Sequence, residues 1–285
     1  MSCSVLILTK NEERNIAECI QSAAFADDIL VFDSFSEDNT INIAERHGAR
    51  VIRHEFENYG AQREAARLLG DYKHEWVLAL DADERVDSEL AREIPKALAA
   101  AAEDVAAFRV RRKDHFRGKW IRHATLYPSW HLRLYRHRRI RYPERSVHEY
   151  PDVDGTVLEL GGHLLHDNFS QGLPHWWRRH VKYAELEASE LVSAEGTELP
   201  SIRELLTRNP VTRRRALKAL SYHLPLRPTL RYLYMMLLRG AVLDGPEGWE
   251  YCRMIAEYQR MTDQFASELR DGQRRQQEHR KGGGR

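Results

Sequence analysis

Four times in the first hundred residues, a short apolar run ends in a polar cluster and gives way to helical spacing. Ser4–Leu8 reads as a buried strand that stops at Thr9, Lys10, Asn11, Glu12 and Glu13. Ile16, Ile20, Ala23 and Ala24 then recur at helical intervals. Ile29–Phe32 is a second strand ending at Asp33 and Ser34, and Ser36–Thr40 offers N-cap residues for a helix that stops near Gly48. A third strand, Arg50–Ile52, precedes a helix opened by Gly60-Ala-Gln-Arg63, and Trp76–Leu80 is the fourth. That run delivers Asp81, Ala82, Asp83 and Glu84, and an Ala-rich helix follows from about Ser88 to Ala102. Strand alternating with helix argues for a Rossmann-like, mostly parallel α/β sheet flanked by helices. In such a sheet the polar ends of strands one, two and four gather on one edge, where ligand crevices form.

Beyond residue 105 the rhythm changes. Val105–Arg112, Trp130–Arg136 and Thr156–His166 read as strands, with Asp154-Gly155 as a turn. Residues 108–145 hold 13 Lys/Arg against Asp114 and Glu144 alone, interleaved with aromatics; such a run is either a solvated face or a surface for an anionic substrate. Arg133 and Arg136 fall where a basic strand could meet phosphate. From Leu173 the spacing is helical again. Residues 202–239 contain nine basic residues and one acid, Glu204, among many leucines, which suits either a helical subdomain packing its Leu face inward or a helix lying in a membrane interface. The spacing divides the chain into an α/β domain over 1–170 (an acidic half, 1–104, and a basic half, 105–170), a basic amphipathic helical extension over 171–270, and a polar, disordered tail over 271–285.

Charge sharpens this division. Residues 1–104 carry 11 Lys/Arg and 22 Asp/Glu, whereas residues 105–285 carry 33 and 21, so the near-neutral net charge of +1 hides a polarity of −11 against +12. An anionic partner for the second half follows as an expectation. The 42% hydrophobic and 31% charged contents fit a well-cored globular chain. Three scattered cysteines fit a reducing compartment. No signal-like start and no run of about 18 apolar residues appears, so the expected location is the cytoplasm, at most on the surface of a membrane.

Asp81 and Asp83 are the first candidates for chemistry. Two carboxylates one residue apart at a strand end suit a hard divalent cation shared with substrate phosphates, or equally a solvated acidic turn. No G-x-G-x-x-G follows the first strand and no Walker-type loop occurs, which removes the best signals for dinucleotide and P-loop binding.

Taken in order, Thr9-Lys-Asn-Glu12-Glu-Arg-Asn15-Ile16, Val31-Phe-Asp33-Ser-Phe-Ser36-Glu-Asp38-Asn-Thr40 and Leu80-Asp-Ala-Asp-Glu84 resemble family 2 glycosyltransferases. Within that family they are most similar to the bacterial lipopolysaccharide-core β-1,4-glucosyltransferase branch. The resemblance covers residues 4–170, implying a catalytic domain there with a nucleotide half (1–104) and an acceptor half (105–170), and returns at Gly240–Gly248. It implies a GT-A fold, a nucleotide-sugar donor (a UDP-sugar), a divalent metal (Mg or Mn) and inversion at the anomeric carbon. It also implies that Thr9, Asn11, Glu12, Asp33, Arg63 and Asp81 hold the donor nucleotide, and that Asp83, with Asp81 through ribose or metal, holds the cation. Two residues depart from the family pattern: Phe35 replaces a small residue, and Glu64 stands where many relatives have Asn.

Transfer of a hexose needs a base on the face opposite the leaving diphosphate. Tyr142–Glu149 resembles the family's Val-His-Glu segment, so Glu149 with the adjacent His148 is the favoured base, Glu144 and Glu84 remaining alternatives. His166, after an apolar strand, is a further metal or diphosphate candidate, or else a hydrogen-bonded structural residue. The expected function is metal-dependent inverting transfer of a hexose, glucose favoured through the family branch, to a lipopolysaccharide-core or other lipid-linked glycan. The setting is an anionic inner membrane surface, with no nucleic acid involved. A nucleotidyltransferase of similar fold and a non-enzymatic basic module binding nucleic acid or anionic lipid are the competing readings.

Overall fold

The computed structural model describes residues 2–125, 127–143, 151–193, 201–207, 210–221 and 226–282. They form two units, Met1–Gln171 and Gly172–Arg285. The first is built on four parallel strands, β1 (Ser4–Thr9), β2 (Ile29–Asp33), β3 (Arg50–Arg53) and β4 (Trp76–Asp81). Helices α1 (Ile16–Ser22), α2 (Thr40–Arg46) and α3 (Tyr59–Leu69) make the crossovers. The uninterrupted apolar runs of β1 and β4 have a simple cause. Val5, Ile7, Leu78 and Leu80 pack into one core, while Leu6, Val77 and Ala79 pack into another on the opposite side. A strand covered on both faces has no use for polar alternation.

After β4 come β5 (Glu84–Val86), α4 (Ser88–Ala100), β6 (Val105–Phe116), β7 (Lys119–Trp120), β8 (Ser129–Arg136), β9 (Ile140–Arg141), β10 (Asp152–Val153) and β11 (Thr156–Asp167). The sheet runs β3-β2-β1-β4-β8-β6-β11-β5, with β7 on β6. β8 lies antiparallel between β4 and β6, so β6 and the parallel β11 point the same way as β1, β2 and β4. The expected α/β architecture is borne out, and six strands, β1–β4, β6 and β11, end on a common edge. Short β5 pairs antiparallel with β11, Glu84 opposite His166 and Val86 opposite Leu164. Nothing local in the sequence announced that pairing.

A bulge between Glu159 and His163 interrupts the β11–β6 register. There the Glu93 carboxylate of α4 accepts the Gly161 and Gly162 amides, at 2.8 Å each. A Cβ on Gly162 would lie 2.5 Å from the backbone of Leu90 in α4.

The second unit contains α5 (Leu173–Ser193), α6 (Ile202–Leu206), α7 (Pro210–Ser221), α8 (Arg227–Leu233) and α9 (Gly245–Gly282). A π turn over Tyr234–Leu238 extends α8, and a 3-10 turn over Ala241–Asp244 leads into α9. Trp176, Ala184, Ala188 and Leu191 form the buried stripe of α5, and Tyr258 of α9 donates to Glu187 at 2.6 Å. The helix also corrects the expectation of a disordered tail from Asp271, since α9 continues through residues 271–282. Its Arg, Gln and Glu side chains are good helix formers, and polarity alone did not end it.

Gly162→Ala should destabilise the protein by about 1–3 kcal/mol, because the clash is with helix backbone rather than a pliable side chain. Gly161→Ala, whose added carbon comes no closer than 3.5 Å to Glu93, should stay within about 0.5 kcal/mol. Urea unfolding of the two variants checks the contrast.

Candidate active site

Strand register sets the site before any side chain is considered. Thr9 pairs with Asp33, and Leu8 with Asp81, so the ends of β1, β2 and β4 stand level. Asp33 is wholly buried. It accepts from the Thr9 hydroxyl at 2.8 Å, the Ser36 amide at 2.7 Å and the Ser36 hydroxyl at 2.5 Å. A carboxylate has about four acceptor positions, so three of them are spent shaping this loop. The loops after β1 and β2 are further laced together. The Asn11 amide donates to Ser36 Oγ, the Glu37 amide to Asn11 Oδ1, and the Glu12 amide to Thr40 Oγ1, each at 2.8 Å. Asn11 and Phe35 take φ of 56° and 57°, a left-handed conformation that suits Asn and is unusual for an aromatic. Phe35 is exposed, with the Arg53 guanidinium 4.7 Å from its ring centre.

The acidic turn after β4 separates into two systems. Asp81 is held by Arg63 of α3 at 3.0 Å and by Arg133 of β8 at 2.5 Å. Arg133 also grips Glu84 at 2.7 Å, and the second oxygen of Glu84 accepts the Asp81 amide at 3.1 Å. Glu84 and Arg133 are buried. Burial opposes charge on Asp81, but Arg133 and then Arg63 outweigh it and hold the carboxyl well below its usual range. The same carboxylates drive Arg133 further above its ordinary value despite desolvation.

Asp83 belongs to the other system. His166, at the end of β11, places Nε2 3.3 Å from Asp83 and Nδ1 2.7 Å from Asp114 of β6. Arg112 Nε lies 3.0 Å from Asp114. Burial disfavours the charged ring, but the bonds to Asp114 and Asp83 prevail and push His166 up to about 9. A carboxylate behind one imidazole nitrogen, with the other nitrogen turned to a second carboxylate, is the usual support of a metal-ligating histidine. Asp83 and His166 therefore fit a divalent ion. An open cleft of about 360 Å³ reaches His166 between Asn15, Arg85, His115 and Asp167. Ser170 and Gln171, just past β11, bond to Asn15 at 2.8 Å and to the Asn11 carbonyl at 3.1 Å, which ties this corner to the loop after β1. Another group among the described residues has metal-ligand spacing: Asp87, Glu89 and His163, whose ligand atoms lie within 4.8 Å of one another.

Of the sequence candidates, Thr9, Asn11, Glu12, Asp33, Arg63, Asp81, Asp83 and His166 all lie on the common sheet edge or the α3 face beside it. His148, Glu149 and Glu144 fall outside the described residues. Glu84 is locked beneath Arg133 and has no exposure from which to act as a base. Arg133 is a structural cation here, and Arg136 pairs with Glu75 at 2.5 Å at the opposite end of β4, so neither sits as a phosphate contact. The Asn-to-Glu departure at 64 has a local use: Glu64 pairs with Arg67 and accepts the Tyr142 amide at 3.0 Å. Asp114 escaped the sequence reading. Its only signal was a lone carboxylate in a basic strand.

The glycosyl transferase family 2 model matches residues 4–153. An uncharacterized glycosyltransferase of Rickettsia conorii is 38% identical over 102 residues, 35% of this chain and 36% of that protein. The chain thus spans about a third of the length of the first curated relatives it matches. The lipopolysaccharide core biosynthesis glycosyltransferase LpsC of Rhizobium meliloti is 28% identical over 215 residues, 73% of this chain and 77% of that one. Among solved structures, S. aureus TarS in complex with UDP aligns over 95% of this chain and 92% of that one, with TM-score 0.45 and 18% identity.

Two outcomes test the charge network. Arg133→Met leaves Glu84 buried without its partner and should cost about 3–5 kcal/mol by chemical denaturation. His131, beside this network on β8, is pushed down to about 3 by burial, then by Arg112 and Arg133. Its folded pKa lies below the unfolded 6.5, so the unfolded state takes up the extra proton and stability falls as pH drops from 6.5 toward 3. Melting temperatures of His131→Gln should accordingly decline less steeply than wild type over that interval.

Proposed function

The chain belongs to glycosyl transferase family 2, and on that premise we propose that it moves a hexose, glucose by preference, from a UDP-sugar to a lipopolysaccharide-core or other lipid-linked glycan, with inversion. The acceptor class is suggested by the lipopolysaccharide-core relative, and in this reading the work is done at the cytoplasmic face of an inner membrane, in peripheral contact with anionic lipid. The observation that carries the reading is the convergence of the prebuilt Thr9–Asp33 loop pair and the Asp83–His166–Asp114 chain on one sheet edge. Neither a nucleotidyltransferase nor a basic binding module accounts for the family match over residues 4–153.

Each residue has a part in this reading. Thr9, Asn11, Glu12 and Asp33 form the nucleoside cradle, with Arg63 beside the nucleotide and Asp81 at the ribose or the ion. Asp83 and His166 hold the divalent ion, Mg2+ or Mn2+, which when bound neutralises charge growing on the leaving diphosphate. Glu149, with His148 adjacent in sequence, takes the proton from the acceptor hydroxyl. That oxygen bonds to the anomeric carbon as the bond to the diphosphate breaks and UDP departs with the electron pair. A single displacement from the opposite face inverts the centre.

The experiment is UDP release from UDP-glucose with manganese and a purified truncated lipopolysaccharide. Asp83→Asn should reduce transfer by about 10²-fold or more while keeping the wild-type melting temperature. Undiminished turnover in that variant, or no stabilisation of the wild type by UDP with manganese, would overturn the assignment.

A further inference from the structure

The helical stretch 226–249 is turned inside out. Arg227 is 6% exposed and paired with Asp263 of α9 at 2.9 Å and Glu187 of α5 at 3.6 Å. On the opposite side, Leu226, Leu230, Leu233 and Leu237 recur at helical spacing and face outward. Leu237 and Leu238 are 70% and 80% exposed, and Leu243, on the 3-10 turn, is 73% exposed. Tyr234 and Trp249 flank the stripe, both exposed. Met235, Ala241 and Asp244 supply the inward face. Scattered surface leucines are ordinary, but a continuous stripe on well-formed helix, opposite a buried arginine, marks a surface that expects cover.

The charge around it selects the cover. Residues 172–285 carry 20 Lys/Arg and 14 Asp/Glu, and residues 202–239 carry nine and one, whereas residues 1–171 carry 24 and 29. Leucines set among cations, edged by Tyr and Trp, match the boundary between acyl chains and anionic headgroups. No helix among the described residues is long and apolar enough to cross a membrane, so contact is made from one side.

We propose that Leu230, Leu233, Leu237, Leu238 and Leu243 form a wedge that enters one leaflet of an anionic phospholipid membrane, with the net positive charge of residues 172–285 attracting it to the headgroups. The wedge names the lipid-facing part of the proposed function and rests on that reading for its purpose. Binding to vesicles is measured without donor or acceptor, so the two can fail separately.

The test is co-sedimentation of the full chain with vesicles of phosphatidylethanolamine and phosphatidylglycerol, against vesicles of phosphatidylcholine. Wild type should pellet with the anionic vesicles, less so at high salt, and only weakly with the neutral ones. The double variant Leu237→Ser/Leu238→Ser should lose at least about 10-fold in partitioning with an unchanged circular dichroism spectrum and melting temperature. Should that variant fold poorly, Leu243→Ser probes the wedge from a separate turn. Wild type left in the supernatant, or variants that pellet as well as wild type, would overturn the wedge. So would a wild-type dimer that the substitutions split, since a second copy would then be the cover.

Discussion

One guanidinium, that of Arg133, decides whether the acidic turn can exist. Glu84 is wholly buried and Asp81 stands beside it, a pairing that costs several kcal/mol if left uncompensated. Arg133 answers both carboxylates, Arg63 takes the second oxygen of Asp81, and Arg112 stands 3.7 Å from Glu84. With Asp83, Asp114 and His166 included, the corner holds four acids, three arginines and a histidine in close order. Because Glu84 also binds the Asp81 amide, the turn is closed from inside and its remaining carboxylate, Asp83, is presented to His166. Asp83, the residue proposed to hold the ion, is thus flanked by a structural neighbour, Glu84, that closes the turn.

Much of this was legible in the sequence, for identifiable reasons. Parallel βα units repeat a local pattern, so the apolar runs, their polar ends and the shared edge at Thr9, Asp33 and Asp81 could be read directly. Contacts between distant segments could not. Asp114 and His166 are 52 positions apart, and the β5–β11 pairing joins residues further apart still. Arg133 looked like one more cation in a basic strand, because nothing near it in sequence shows that Asp81 and Glu84 await it. The helix 226–238 shows another limit. Spacing revealed two faces but not which is inward, and the partners that draw Arg227 inside, Glu187 and Asp263, lie 40 and 36 residues away.

Two carboxylate–histidine groups compete for a metal, and chemistry separates them. Asp87 already caps α4, its Oδ1 accepting the Leu90 amide at 2.7 Å, and Glu89 is exposed. Asp87 and His163 lie past the end of β5 remote from Glu84 and His166. Tyr127 meets His163 Nε2 at 3.1 Å, so a tyrosine, not a carboxylate, stands behind that ring. His166 instead lines the cleft together with Asn15 of the segment after β1, and Asp83 is 3.3 Å from its ring, where the proposed leaving diphosphate would need an ion.

The charge polarity of the chain also acquires a different meaning. Read along the sequence, the basic half called for an anionic partner outside the protein. In the fold, β8 lies against acidic β4 and spends its arginines on Asp81, Glu84 and Glu75. The first unit as a whole is left with fewer basic than acidic residues. What positive surplus remains belongs to the second unit, the one whose leucines face outward. In the proposed membrane contact, long-range attraction to an anionic surface and short-range apolar insertion would therefore be carried by the same unit. The Asp81–Asp83 corner, proposed to hold the donor, keeps its own arginines and carboxylates paired with one another, so its field would act on a bound diphosphate at short range.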